Sequence, residues 1–366
     1  MSRPGAFWFL CGCLSLDQSQ ARRDELRRTV NSGAIQWEIF IKVASENMIA
    51  PAVLDAFRNK GIEDALPSDV IDFFDGIAVL NRLRNEKIRA EALQLAKVFN
   101  DLNVIPIFLK GGANLMSGLY ANPAHRVMVD LDVLVPVDRL SDCVAGLAGK
   151  GYNILVDNDF PAHHHYPPLA RPNAAASVEL HVEPLDKPYR SLLDPSEIFD
   201  EAVILHQGLA KLAVPSPQCR LIHAIAHTQL ANHSYIYGQL PLREFVDFAL
   251  FDQSYKHAID WKRIVKRFSD FGAATALAFH LLAAERLLDV RIDENVGVPA
   301  MAKVFYRRAE WQTDHPKWLI FSIKLLRPWL LLWRSFSHPI LKQRLFRNLR
   351  DRAWYSRQWR IMRGQR

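Results

Sequence analysis

Cysteine is scarce in this chain: four in 366 residues, at positions 11, 13, 143 and 219, with no C-x-x-C pair among them. That spacing excludes a disulfide framework and a closed thiolate zinc site, and it suits a reducing, cytoplasmic setting. Long apolar runs are missing too. No segment reaches the ~18 uninterrupted apolar residues that a membrane-spanning helix needs. There is no internal repeat and no low-complexity segment. Acidic residues are nearly absent from the end of the chain: residues 317–366 hold thirteen Lys/Arg against Asp351 alone, a net of +12. The whole chain carries +7, so the other 316 residues are net −5 and the basic pI belongs to the tail. At the start, residues 6–16 are apolar behind the single charge of Arg3. That run is short for a signal sequence, and Cys11 sits badly for a lipoprotein cleavage site, so a buried first helix is expected there, with a weak signal sequence as the alternative.

What is present falls into distinct textures. Residues 1–100 read as helical, with apolar groups at helical spacing from Trp37 to Ala44 and a long helix starting at Pro67-Ser68-Asp69 and running through Val98. From Val104 the pattern changes. Short apolar runs predict strands over 104–109, 127–135, 151–155, 163–166 and 177–183, with helices over 111–119 and 138–147 and a loop over 167–176. From Pro217 helices return, over 218–232, 241–251, 258–270 and 273–288. The expected class is α+β: a small mixed sheet flanked by N-terminal and C-terminal helical regions. The expected division is 1–100 helical, 101–200 sheet core, 201–290 a second helical region, and 291–366 a basic amphipathic helical tail.

Two carboxylates stand out. Asp130 and Asp132 interrupt the apolar run from Val127 to Val135. In a strand, residues i and i+2 share a face and lie about 7 Å apart. Burying such a pair costs free energy unless a cation lies between them, and Mg²⁺ or Mn²⁺ takes hard oxygen ligands. The plain alternative is an edge strand with a solvated face. Relieving the repulsion by Asp→Asn is expected to leave stability unchanged or slightly higher. Glu179 and His181 repeat the i, i+2 pattern on a later strand, making Glu179 a third metal ligand or a proton acceptor and His181 a substrate contact. One polar face of an antiparallel strand is the competing reading.

Lys110-Gly111-Gly112 lies between a predicted strand and a predicted helix. Unpaired N–H groups at a helix start welcome an anion, glycines let it approach, and Lys110 adds a full charge. A tight turn with an exposed lysine is the bland alternative. Arg126 suits bidentate phosphate binding or a simple pair with Asp130. Of His163-His164-His165, only His163 and His165 would share a face, and with His181 they would offer three nitrogens to zinc. Lining a substrate cleft is the preferred role. His223 and His227 are i, i+4 on a helix with no glutamate after His223, so a zinc-protease motif is absent and helix–helix packing is expected. Arg243 and Asp247, also i, i+4, are expected to pair.

Taken together, these residues resemble the nucleotidyltransferase-fold proteins related to DNA polymerase beta, and among them the bacterial family labelled uncharacterised nucleotidyltransferase. Its pattern matches Phe108-Leu109-Lys110-Gly111, Arg126 followed by Asp130-Leu131-Asp132-Val133-Leu134-Val135, the histidine run at 163–165, and Val178-Glu179-Leu180-His181. Leu221-Ile222-His223, His227, Leu242-Arg243-Glu244-Phe245-Val246-Asp247 and Ile259-Asp260-Trp261 extend it, so that the likeness covers roughly residues 30–290. The resemblance implies two-metal transfer of an NMP group from an NTP, such as ATP, to a hydroxyl acceptor with loss of pyrophosphate. It implies Asp130, Asp132 and Glu179 as metal-binding catalytic residues. Lys110, Gly111, Gly112 and Arg126 would hold phosphates, His163, His165 and His181 would meet substrate, and residues 201–290 would carry acceptor specificity. One departure is that Lys-Gly-Gly stands where the wider superfamily has Gly-Ser. The competing functions are an inactive nucleotide-binding or regulatory module of the same fold and a peripheral membrane protein defined by its tail. In that tail Pro328 is expected to kink or divide any helix. The tail suits an anionic membrane interface or packing on the 201–290 helices, and nothing beyond charge points to nucleic acid.

Overall fold

The computed structural model describes residues 1–155 and 165–337. Its sheet has seven strands: β1 Ile107–Phe108, β2 Asp130–Leu134, β3 Asn153–Ile154, β4 Leu169–Ala170, β5 Ser177–His181, β6 Val203–Gln207 and β7 Ala210–Val214. They lie in the order β3-β4-β5-β2-β1-β7-β6. The β2–β5 and β1–β7 pairs are parallel and the rest antiparallel, so the sheet is mixed as expected.

Alternation in the two central strands sets the register. Leu131, Val133, Val178 and Leu180 are fully buried, against Ile88, Leu95 and Phe99 of the helix Ser68–Asp101 and Cys143 and Leu147 of the helix Leu140–Ala148. Each such side chain stabilises the fold by about 1.5–3 kcal/mol. A slip of one residue would drive Asp132 and Glu179 into that layer, so the apolar face fixes where the carboxylates point.

A second core joins the N-terminal helices to the helices after Pro217. The helix Arg3–Leu14 buries Phe7, Phe9 and Leu10, in line with the buried-helix reading of this segment. Leu16 N–H donates to Leu288 O at 2.8 Å, and Trp8 Nε1 donates to Asp314 Oδ1 at 2.8 Å. The N-terminal helices thus pack with the helices that follow Pro217 in one apolar cluster.

Several elements differ from expectation. The β6–β7 hairpin was not anticipated, although Gly208 at φ +61° makes its tight turn and short apolar runs flank it. Residues 169–170 form a strand inside the segment expected as a loop. Of the strand expected over 163–166, His165 bridges His181, while His163 and His164 lie outside the described residues. The helix expected over 218–232 is α-helical over Pro217–Ala226 and then forms a π-helical turn, His227–Ala231. The tail helix Pro316–Ser337 runs through Pro328 without division. Pro328 is exposed, where a missing helix hydrogen bond costs least. Among the described residues no helix is long and apolar enough to cross a membrane.

Candidate active site

The parallel register pairs Asp130 with Ser177, Asp132 with Glu179 and Leu134 with His181. Strand alternation therefore puts Asp130, Asp132, Glu179 and His181 on one face, opposite the apolar layer. Asp132 is 2% exposed and His181 0%, so both titratable groups are enclosed by the fold. Asp132 Oδ1 accepts from His181 Nε2 and from Lys110 Nζ, each at 2.8 Å. Burial opposes the Asp132 charge, but Lys110 and His181 outweigh it and hold the carboxyl well below the usual range. The Lys110 ammonium is correspondingly held above its ordinary value, against its own burial, chiefly by Asp132. Asp130 and Glu179 shift the other way. Burial raises both, and the Asp132 charge adds to the rise in each.

Lys110 follows β1 directly and opens the helix Lys110–Met116 with φ +46°, a left-handed conformation rare for a side chain of this size. Such backbone persists where the surroundings over-determine it, and the side chain of Lys110 is held by the ion pair to Asp132. The helix is only seven residues long.

Three ligand atoms, one each from Asp132, Glu179 and His181, lie within 4.8 Å of one another. With Asp130 beside them, carboxylate oxygens dominate the donor set, which fits a hard divalent cation better than zinc. His165 and His181 rings sit 5.2 Å apart, and His165 Nε2 is 3.8 Å from Glu179 Oε2. The three-histidine zinc set needs His163, which lies outside the described residues. The other cluster of ligand type, Glu197, Glu201 and Cys219, is tied up by Arg263 and Arg267 at 2.5–3.1 Å.

Arg126 does not pair with Asp130, and Arg243 does not pair with Asp247. Arg126 lies across Asp247, with Nε 2.9 and 3.0 Å from the two oxygens and Nη2 2.9 Å from Oδ2. Arg243 instead donates to Glu244 Oε1 at 2.7 Å. Tyr120 adds a hydroxyl hydrogen bond to Asp247. The loop that carries Arg126 is anchored by Asn85, whose Nδ2 donates to Arg126 O at 2.8 Å, and by Asn81, which donates to the same oxygen at 3.1 Å. These two amides, i and i+4 on the long helix, were a legible signal that sequence reading passed over. Gly111 also sits against Arg126. A Cβ there would sit 2.3 Å from Arg126 Nη1, so the glycine makes room for the guanidinium. At Gly112 the nearest neighbour of a Cβ would be Phe108, at 3.3 Å.

Lys110 also opens onto a cavity of about 110 Å³ between the sheet and the helices after Pro217. Its walls carry four cations: Lys110, Arg126, Arg220 and Arg243. His223 and His227, expected to serve helix packing, line it with ring centroids 6.1 Å apart. Arg220, buried within the run Cys219-Arg220-Leu221-Ile222, went unremarked in the sequence although a charge in an apolar helix is informative.

Residues 33–289 match the family model described as uncharacterised nucleotidyltransferase, a span that includes the carboxylates, Lys110, Arg126 and the cavity walls. No curated protein and no solved structure matches the chain. With that match over most of its length, the chain belongs to the family of uncharacterised nucleotidyltransferases.

Proposed function

We propose that this protein is a metal-dependent nucleotidyltransferase that moves an NMP group from an NTP to a hydroxyl acceptor, releasing pyrophosphate. The observation that carries the reading is the shared face of Asp130, Asp132 and Glu179, set by the parallel β2–β5 register. Those three would hold a divalent cation, magnesium or manganese, which when bound polarises the α-phosphate and offsets polyphosphate charge. Glu179 is the group suited to take the acceptor's hydroxyl proton on its carboxylate, because burial already raises its proton affinity. The acceptor oxygen then bonds to the α-phosphorus as the bond to the bridging oxygen breaks, and pyrophosphate leaves with that electron pair. Lys110 faces both the carboxylates and the cavity, where it would draw charge from the leaving group. His165 flanks Glu179 and would orient the acceptor, whereas His181, expected to meet substrate, is fully enclosed and would instead position Asp132. Nothing favours an inactive module, since the carboxylates are intact.

The test is incubation of the pure protein with each α-labelled NTP, Mg²⁺ and a cell extract. Label should enter an acceptor with matching pyrophosphate release, and chelation or Asp130→Asn should abolish it. Absence of transfer from every NTP, or near-normal transfer by Asp130→Asn, would defeat the reading.

A further inference from the structure

Of the four cations on the cavity wall, three already have a carboxylate. Lys110 is bound to Asp132, Arg126 to Asp247 and Arg243 to Glu244, each within 3.0 Å. Arg220 has none among the described residues. Its Nη2 donates to the neutral Asn114 Oδ1 at 2.9 Å, and its guanidinium lies 4.9 Å over the Phe251 ring and 5.4 Å over Tyr255. It is only 8% exposed; Tyr255 adds a side-chain hydrogen bond, and the nearest carboxylate to act on it, Asp247, is already in the ion pair with Arg126. Burial lowers its proton affinity, whereas the Asp247 ion pair raises that of Arg126 against its own burial. Asn114 stands one helical turn after Lys110, so both residues project from the same side of that short helix toward the cavity.

We infer that Arg220 is the counter-charge for a phosphate group of the substrate, held in the cavity that meets the carboxylate site at Lys110. This rests on the nucleotidyltransferase reading. Aromatic rings hold the guanidinium in place, and the donors not taken by Asn114 and Tyr255 can form a planar fork to an oxyanion. The phosphate has two sources, the polyphosphate of the NTP or a phosphorylated acceptor. The probes are Mg·ATP, pyrophosphate and inorganic phosphate, titrated calorimetrically into the wild type, Arg220→Met and Arg220→Lys. Arg220→Met should weaken binding about 10- to 100-fold, the loss of charged hydrogen bonds, and Arg220→Lys should recover part of it. Losses for ATP and pyrophosphate assign the NTP polyphosphate, while loss for inorganic phosphate alone assigns the acceptor. Replacing a buried charge that has no ion pair of its own by Met should not lower the melting temperature of ligand-free protein. A lowered melting temperature with all affinities unchanged makes Arg220 structural and overturns the inference. A wild type that binds no probe overturns the nucleotidyltransferase reading as well.

A separate observation concerns the helix Pro316–Ser337. Its half-buried residues Leu319, Ile323, Leu326 and Leu330 recur on one side. On another side Trp318, Phe321, Leu325, Trp329 and Leu332, at i, i+3, i+7, i+11 and i+14, are 37–68% exposed. Lys317, Lys324 and Arg327 border this stripe, and the sequence continues with ten more Lys/Arg. We propose that this face lies on an anionic membrane surface, since a stripe of tryptophan, phenylalanine and leucine edged by cations and followed by a net positive tail matches acidic headgroups over an apolar layer. Full-length protein should co-sediment with phosphatidylserine-containing vesicles at low salt and be released by high salt. Phosphatidylcholine vesicles should retain little. The double variant Phe321→Glu, Trp329→Glu should lose most binding with its circular dichroism unchanged. Failure of the full chain to bind acidic vesicles overturns the proposal, and so does undiminished binding by the variant. If the chain ignores vesicles and the variant converts a dimer to a monomer, the stripe is an interface between copies instead.

Discussion

Asp130→Asn and Asp132→Asn, equivalent on paper, should have opposite effects on stability. Viewed in the sequence alone, both relieve a like-charge repulsion and neither should destabilise. The fold separates them. Asp132 is almost wholly buried and its Oδ1 accepts from both Lys110 and His181 at 2.8 Å. An asparagine can keep one oxygen in place but removes the charge, leaving Lys110 partly uncompensated in a site where hydrogen bonds to charged groups are worth about 1.5–3 kcal/mol. A loss of roughly 2–3 kcal/mol is expected for Asp132→Asn on that basis. Asp130 is half-buried at the strand's start, and Asp132 and burial both work against its charge. Its removal should raise stability by roughly 0.5–1 kcal/mol, the size of a partly screened repulsion. Urea denaturation in chelator at neutral pH measures both through the midpoint, with the slope as a check that the unfolded state is unchanged. Equal losses for the two variants, or an Asp132→Asn protein as stable as the wild type, would refute the assignment of Lys110 as the partner of Asp132.

Gly111→Ala should push Arg126 off Asp247, since its Cβ falls 2.3 Å from Nη1; a destabilisation of about 1–3 kcal/mol by thermal melt is expected, and an unchanged melting temperature would contradict it. Asp247→Ala leaves the Arg126 guanidinium buried without its carboxylate, so a loss of about 3–5 kcal/mol in urea is expected. Replacing Arg126 by Met in the same protein should restore much of it. His280 is 1% exposed, and burial pushes its pKa down to about 3. The unfolded chain binds its proton near pH 6.5 and the folded one does not, so this group costs stability as pH falls from there toward 3, at up to about 1.4 kcal/mol per unit. In His280→Phe the stability curve between pH 4 and 6.5 should flatten, and an unaltered slope would count against a neutral buried imidazole.

Local pattern was enough to place much of this molecule. Periodicity marked the long helix at 68–101, the strands carrying Asp130, Asp132, Glu179 and His181, and the later helices, because burial on one face writes itself into residue spacing. The spacing i, i+2 also put each pair of polar residues on a common face without any knowledge of the fold. What neighbours those faces would meet was another matter. That Asp132 lies opposite Glu179 depends on two strands pairing across more than forty residues, and a parallel register leaves no mark in either strand alone. The partner of Arg126 is Asp247, 121 positions away, and no local rule favours it over the nearer Asp130. Gly111 read as a phosphate cradle because glycine's permissiveness is visible in sequence, whereas the guanidinium it accommodates is not. Arg220 shows the same limit. Its residue type was plain to read, but only the tertiary structure decided that three nearby cations lie in direct ion pairs and this one does not, since ionic pairing is settled by which side chains the packed core brings within reach.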